Sequence, residues 1–202
     1  MGLPVREPIV YTGAVRMLRH RLVAVALIGL TAVVACGPPP PPPVLGPGRP
    51  APGPGVLGLG DSVMLGAAPA LQAAMPGIEV DAVVSRQFHE APGIVTWRAQ
   101  AGALPGTLVL HLGTNGTVRP DHCDHVVNAA GNRRVIIVNL RVPRSWQNTN
   151  NQVLFECAVR NGTAYVDWYN LSAGHGDWLA GDGFHMQPAG AAAYAAAIAA
   201  AL

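Results

Sequence analysis

The chain has 202 residues, of which 50% are hydrophobic, 12% charged and 5% aromatic, with a mean hydropathy of +0.29. Disordered chains are poor in apolar residues and rich in charge, so this composition excludes one; the length favours a single domain with appendages. The formal charge is +2 and all 13 basic residues are Arg, but they form no basic run of the kind nucleic-acid binders gather on one face, so no nucleic-acid partner is expected.

In chain order, Arg16, Arg19 and Arg21 precede an uncharged apolar run of 14 residues, Leu22 to Ala35. A spanning helix needs about 20 apolar residues, so this run is too short to cross a bilayer and is the right size for a secretion signal. It ends in Val33-Val34-Ala35-Cys36-Gly37. That stretch resembles a bacterial lipobox, whose Cys receives a lipid before cleavage. The resemblance implies a signal over 1–36 and a lipid anchor on Cys36. It places the chain on the outer face of the bacterial cell membrane. The competing reading is an ordinary cleaved signal with an incidental Cys. Met17 opens an ordinary signal of its own, which would put 1–16 upstream of the true start.

Residues 37–55 hold ten of the nineteen prolines. Proline lacks an N–H and has a fixed φ, so this stretch joins neither helix nor sheet. It is expected to be a polyproline-II-like tether reaching at most about 60 Å, at roughly 3.1 Å per residue. Cysteine usage agrees with export. If Cys36 carries lipid, Cys123 and Cys157 remain, and an oxidising compartment lets them pair. Two buried free thiols are the alternative. Charge divides along the same line: residues 1–36 carry four Arg and one Glu, the remainder nine Arg and ten acids. The domain itself is thus slightly acidic.

Residues 56–202 are long enough for a sizeable core. Short apolar runs predict strands at Val56–Leu59, Ile78–Val84, Thr107–Leu112, Val135–Leu140 and Thr163–Val166. Helical segments are predicted at Val63–Ala74, Pro92–Ala101, Pro120–Ala130, Gln147–Arg160 and Pro188–Leu202. Continuously apolar strands alternating with helices mean a parallel sheet covered on both faces. The expected fold is a three-layer α/β/α sandwich with a five-stranded parallel sheet. Sites in such sheets lie outside the carboxyl ends of the strands, here after Leu59, Val84, Leu112 and Val166.

Three motifs fall near those ends or by the last helix. The first strand runs into Gly58-Leu59-Gly60-Asp61-Ser62, which sets Ser62 at a strand-to-helix turn with its hydroxyl projecting and its N–H free. Read alone, Ser62 is equally a helix N-cap. A dinucleotide fingerprint fails because Val63 stands where the third Gly belongs. The third strand ends in Gly113-Thr114-Asn115, where an Asn amide can meet a developing oxyanion. Asp182-Gly183-Phe184-His185 precedes the last helix, a spacing that lets the carboxylate hold an imidazole.

Together, Gly60-Asp61-Ser62, Gly113-Thr114-Asn115 and Asp182-x-x-His185 resemble the SGNH (GDSL) hydrolase family across 56–202. With Val63-Met64-Leu65 and Asp81-Ala82-Val83-Val84-Ser85-Arg86-Gln87, the likeness is greatest to the extracytoplasmic SGNH domains of peptidoglycan and polysaccharide O-acetyltransferases. The resemblance implies a flavodoxin-like fold and no cofactor. It implies Ser62 as nucleophile, His185 as general base, and Asp182 as the group orienting His185. Asn115 and the N–H groups of Ser62 and Ser85 would form the oxyanion hole. Ser85 replaces the Gly usual in the second block; if that Gly adopts positive φ, Ser85 is strained. The expected function is a serine esterase or acyltransferase of the cell envelope. Its substrate would be an O-acyl, foremost acetyl, ester on carbohydrate. The sequence shows no acyl-supplying membrane module, so transfer would draw on a separate membrane acyl-donor protein, which tilts the expectation to hydrolysis. The competing class is a non-catalytic glycan-binding envelope lipoprotein.

Other residues carry weaker signals. Asp121, His122, Cys123, Asp124 and His125 are dense in ligand types, but Cys123 has a better use and no second cluster is evident, so no metal is expected. His111 reads as a hydrogen-bonded core residue. His89 and His175 lie in loops without a nameable partner. Asp177 and Trp178 read as pocket lining or, for Trp178, simple packing.

Overall fold

The computed structural model describes residues 53–202. The expected signal, Cys36 and most of the proline tether lie outside the described residues.

Five strands form one parallel sheet in the order β2-β1-β3-β4-β5. They are β1 (Val56–Gly60), β2 (Glu79–Ala82), β3 (Thr107–His111), β4 (Arg134–Val138) and β5 (Ala164–Val166). The helices are α1 (Ser62–Gly66), α2 (Ala68–Ala74), α3 (Ala91–Gln100), α4 (Pro120–Ala130), α5 (Gln147–Asn161), α6 (Trp168–Leu171) and α7 (Pro188–Ala199). β3, β4 and β5 are buried along their whole length, as strands covered on both faces must be.

The period of two along each strand sorts the side chains into two cores. Leu57, Leu59, Leu108, Leu110, Val135 and Ile137 pack with Val95, Val126 and Leu154 from α3, α4 and α5. Val109, Ile136, Val138, Ala164 and Val166 pack with Met64, Leu71, Tyr194 and Ile198 from α1, α2 and α7. Gly58 and Gly60 alternate with the leucines of β1 because Met64 lies over their face. A Cβ on Gly60 would meet the Met64 Sδ at 2.7 Å and its Cβ closer still. The alternation Leu-Gly-Leu-Gly is therefore a packing requirement of the turn that follows it.

The three-layer sandwich and its five parallel strands are as expected, with shifted boundaries. The helix expected over Val63–Ala74 is broken at Ala67, which caps both α1 and α2. Pro69 has no N–H to continue α1 and instead sits in the first turn of α2. β2 is shorter than Ile78–Val84, because after Ala82 the chain turns through an Arg86 N–H to Val83 carbonyl bond of 3.2 Å. β4 ends at Val138; two residues on, the Leu140 N–H leaves the sheet ladder and donates to Asn151 Oδ1 of α5 at 2.9 Å. The last helix stops at Ala199 rather than Leu202.

Cys123 of α4 and Cys157 of α5 form a disulfide across 34 positions. The alternative of free thiols is thereby set aside. Both residues are fully buried.

Candidate active site

The register sets three loops side by side. Gly60 pairs with Ala82 on one side and His111 on the other, so β1, β2 and β3 end on one level. The loops that leave them carry Ser62, Ser85 and Asn115.

Asp61, not Ser62, caps α1: its Oδ1 accepts the Val63 N–H at 3.0 Å. Ser62 is thus the first helical residue, and its hydroxyl is not consumed by capping. Its Oγ lies 3.0 Å from His185 Nε2. His185 Nδ1 lies 2.7 Å from Asp182 Oδ2. This chain of contacts fixes the tautomer in which Nδ1–H donates to the carboxylate and Nε2 accepts from the hydroxyl. Some desolvation opposes ionisation of Asp182. Hydrogen bonds from the His185 ring and from the Phe184 and His185 N–H groups outweigh it, holding the carboxyl below its ordinary range.

The loop carrying this pair is closed on itself. Leu179 bridges Met186, and the Ala180 N–H donates to the His185 carbonyl at 2.8 Å. Gly183 turns the chain at φ +80, a conformation that favours glycine. Gly190 then lets α7 approach Trp178, whose backbone a Cβ there would strike.

Ser85 is the single non-glycine residue of positive φ among the described residues, at +63. Holding an L residue there costs on the order of 1 kcal/mol or more. The cost is met by Arg86, which is 8% exposed. Its Nη1 donates to the Gly60 carbonyl at 3.2 Å and the Asp81 carbonyl at 2.5 Å, and Nη2 reaches Asp81 Oδ1 at 2.7 Å. Arg98 adds a 2.9 Å bond to Asp81 Oδ2. Burial works against the Asp81 charge, but the two guanidinium partners prevail and its pKa is lowered. The Ser85 turn is thus clamped to the ends of β1 and β2.

Asn115 stands beside this turn: its Nδ2 is 3.4 Å from the Arg86 carbonyl. The Asn115 loop is itself held by Asn150, a fully buried residue of α5. Asn150 Oδ1 accepts from the Val118 N–H at 2.8 Å, while Nδ2 donates to the carbonyls of Gly113 at 3.0 Å and Gly116 at 2.8 Å. Gly113 has φ +122, and a Cβ there would press Leu140 and Val118 at 2.8 Å. Nothing in the sequence singled out Asn150 from its neighbours, nor showed what Arg86 bonds. A buried polar layer lies beneath. His111 Nδ1 is 2.7 Å from the Tyr194 hydroxyl, and burial pushes the His111 pKa down to about 3. Burial raises the Asp61 pKa, against bonds from the Val63 N–H and Thr114.

Several of the remaining candidates have structural partners. Asp121 pairs with Arg119 at 2.9 Å and Asp124 with Arg160 at 3.1 Å; Cys123 is in the disulfide. Trp178 stacks between Trp168 and His175, with ring centroids at 6.1 and 3.8 Å. His89 and Asp177 are exposed.

A five-stranded parallel sheet in this order, covered by helices on both faces, is the fold of the SGNH (GDSL) hydrolases. The chain is homologous to bacterial O-acetyltransferases: 37% identity over 138 residues to the peptidoglycan O-acetyltransferase OatA of Listeria monocytogenes, and 34% over 137 to the O-acetyltransferase OatA of Staphylococcus aureus. These stretches cover 68% and 67% of this chain but 22% and 23% of the relatives, so the match spans about a fifth of their length. Among solved structures, the C-terminal catalytic domain of Streptococcus pneumoniae peptidoglycan O-acetyltransferase A, with a methylsulfonyl adduct, is 29% identical at a TM-score of 0.62. It aligns over 74% of this chain and 93% of that one. A G-D-S-L family protein of Desulfitobacterium hafniense shares the fold at a TM-score of 0.60 and 17% identity, over 73% of this chain and 99% of that one. No family model matches the chain.

Proposed function

We propose that the chain is an extracytoplasmic serine enzyme that removes or transfers O-acyl groups, foremost acetyl, on carbohydrate. The observation that carries this reading is the continuous chain from Ser62 Oγ through His185 to Asp182, at 3.0 and 2.7 Å. A glycan-binding module has no use for that alignment. Homology to O-acetyltransferases supports the acetyl and carbohydrate parts.

In this reading His185 Nε2 takes the Ser62 proton as Oγ attacks the ester carbonyl. Asp182 holds the ring and stabilises the imidazolium. The oxyanion is met by Asn115 Nδ2 and the N–H groups of Ser62 and Ser85. Collapse breaks the bond from the acyl carbon to the sugar oxygen, which leaves as a hydroxyl by taking from His185 the proton that came from Ser62, and acyl-Ser62 remains. Water, or a second hydroxyl, then attacks by the same steps in reverse. The domain would span 56–202 behind a signal over 1–36 and a tether over 37–55. A lipid on Cys36 would hold it at the outer face of the membrane, and transfer would draw on a separate membrane acyl donor.

Ester turnover by the full chain and its Ser62→Ala variant tests the reading, together with fluorophosphonate labelling. Labelling and turnover that vanish together in Ser62→Ala support it. Equal turnover in both proteins overturns the assignment of Ser62. Saccharide binding with no turnover by either would instead favour a glycan-binding lipoprotein.

A further inference from the structure

After β4 the chain runs Asn139-Leu140-Arg141-Val142-Pro143 and passes the His185 loop. A Cβ at Gly183, between Asp182 and His185, would lie 3.7 Å from Pro143 Cγ. Between this segment and the loop is an open cavity of about 450 Å³, lined by Arg141, Gln147, Tyr169, Leu179, Ala180 and Gly183 among others. That volume is in the range of small-molecule sites, about 300–1,000 Å³. One wall of it is the loop that holds Asp182 and His185.

Arg141 is the charged residue of that cavity, and no acid lines it. Its Nη1 donates to the Tyr169 carbonyl at 3.1 Å. The guanidinium carbon stands 5.6 Å from the Tyr169 ring centroid, a cation–π arrangement. Arg86, Arg98, Arg119 and Arg160 all pair with carboxylates. Arg141 pairs with none among the described residues. A guanidinium presents five N–H donors in a fork matched to a carboxylate. Here one donor is spent on orientation, and the others are left beside a cavity.

Tyr169 also lines a second cavity of about 300 Å³, with Asn148, Phe155, Tyr165 and Asn170. Phe155 is 43% exposed. A sugar ring has a face of C–H groups and a rim of hydroxyls. Aromatic faces and side-chain amides offer the matching surfaces. Tyr169 lines both cavities; Asp167 lies in the second, so the place for an anion is the first.

We propose that the cavity beside the His185 loop is a subsite for a carboxylate-bearing sugar. Arg141 is its anion contact and Tyr169 the face on which the ring lies, and the glycan continues toward Asn148 and Phe155. This rests on the reading of the substrate as a glycan ester.

Calorimetric titration of the full chain tests it with two unacetylated probes. One is a tetrasaccharide carrying a muramic-acid carboxylate on every second sugar. The other is chitotetraose, with the N-acetylated backbone and no carboxylate. A charge-assisted, bidentate contact predicts that the carboxylate probe binds about tenfold tighter or more, and that added salt narrows the gap. Arg141→Gln brings the ratio toward one; Arg141→Lys, which keeps the charge, retains part of it and guards against a folding defect in the first variant. Equal affinity for both probes, no binding of either up to millimolar levels, or a ratio unchanged in Arg141→Gln overturns the subsite. Charge preference without Ser62-dependent ester turnover upholds the subsite and sinks the enzymatic reading. Turnover without charge preference does the reverse.

Discussion

His185 and Ser62 lie 123 positions apart in sequence and 3.0 Å apart in space. Two separate devices make that meeting. Asp61 takes the capping role and frees the Ser62 hydroxyl, and the closed loop from Leu179 to Met186 presents the imidazole. Replacing Ser62 by Ala or His185 by Gln is expected to lower kcat for ester turnover by about 10³–10⁶, with the double variant little worse than either alone, because the pair acts as a unit. Steady-state kinetics on the three proteins, with circular dichroism to verify folding, measures this. Losses that multiply would show that the two residues do not act together.

Asn115 and Asn150 separate activity from stability. Asn150 makes three bonds from a fully buried amide, so Asn150→Ala strands two carbonyls and an N–H and should cost about 2–4 kcal/mol in urea unfolding. Asn115 has one long bond at 3.4 Å and is partly exposed. Asn115→Ala should leave the unfolding midpoint almost unchanged and lower kcat by about 10²–10³ if its amide meets the oxyanion. Stability loss in Asn115→Ala comparable to that in Asn150→Ala would contradict the division.

That division also marks what the sequence could show. Continuous apolar runs announced β1, β3, β4 and β5, because burial on both faces leaves few polar positions; β2, at the edge of the sheet, carries Glu79 and Asp81. Ser62, Asn115, Asp182 and His185 stood out only when their three short motifs were taken together, through the family resemblance they carry. Asn150 did not, although α5 also carries Asn148, Asn151 and Asn161. Which amide turns inward depends on how the helix docks, not on its own periodicity. The bonds of Arg86 to Gly60 and Asp81, and of His111 to Tyr194, link elements distant in sequence and had no local signature. The helix break at Ala67 is legible in the sequence, since Pro69 lies inside the expected helix over Val63–Ala74.

The Cys123–Cys157 bridge closes a loop of 34 positions between α4 and α5. On the chain-entropy account, that constraint on the unfolded state is worth roughly 3–4 kcal/mol. Cys123→Ala/Cys157→Ala is expected to unfold at lower urea with a loss of that size, while ester turnover, assigned to Ser62, Asp182 and His185 on other elements, keeps its kcat below the new midpoint. A double variant as stable as the parent would show that native strain cancels the entropic gain.

Ser85 at φ +63 depends on the clamp from Arg86 and Asp81, and that clamp titrates. The Asp81 pKa is lowered by Arg86 and Arg98 against the opposing effect of burial. A carboxylate of lowered folded-state pKa adds stability that is present above its unfolded value, near 3.8. That stability is lost as pH falls through the folded value. Stability should therefore drop as pH is taken below about 4. Asp81→Asn should be less stable than the parent at pH 7 by on the order of 1 kcal/mol. Its melting temperature should fall less steeply over the acid range, since one titrating group is gone. Ser85→Gly should raise stability slightly at every pH, because glycine adopts this φ without strain. Melting curves of the three proteins at a series of pH values decide both points. Parallel acid limbs for the parent and Asp81→Asn would show that the acid sensitivity comes from carboxylates elsewhere and that the Ser85 turn does not depend on this ion pair.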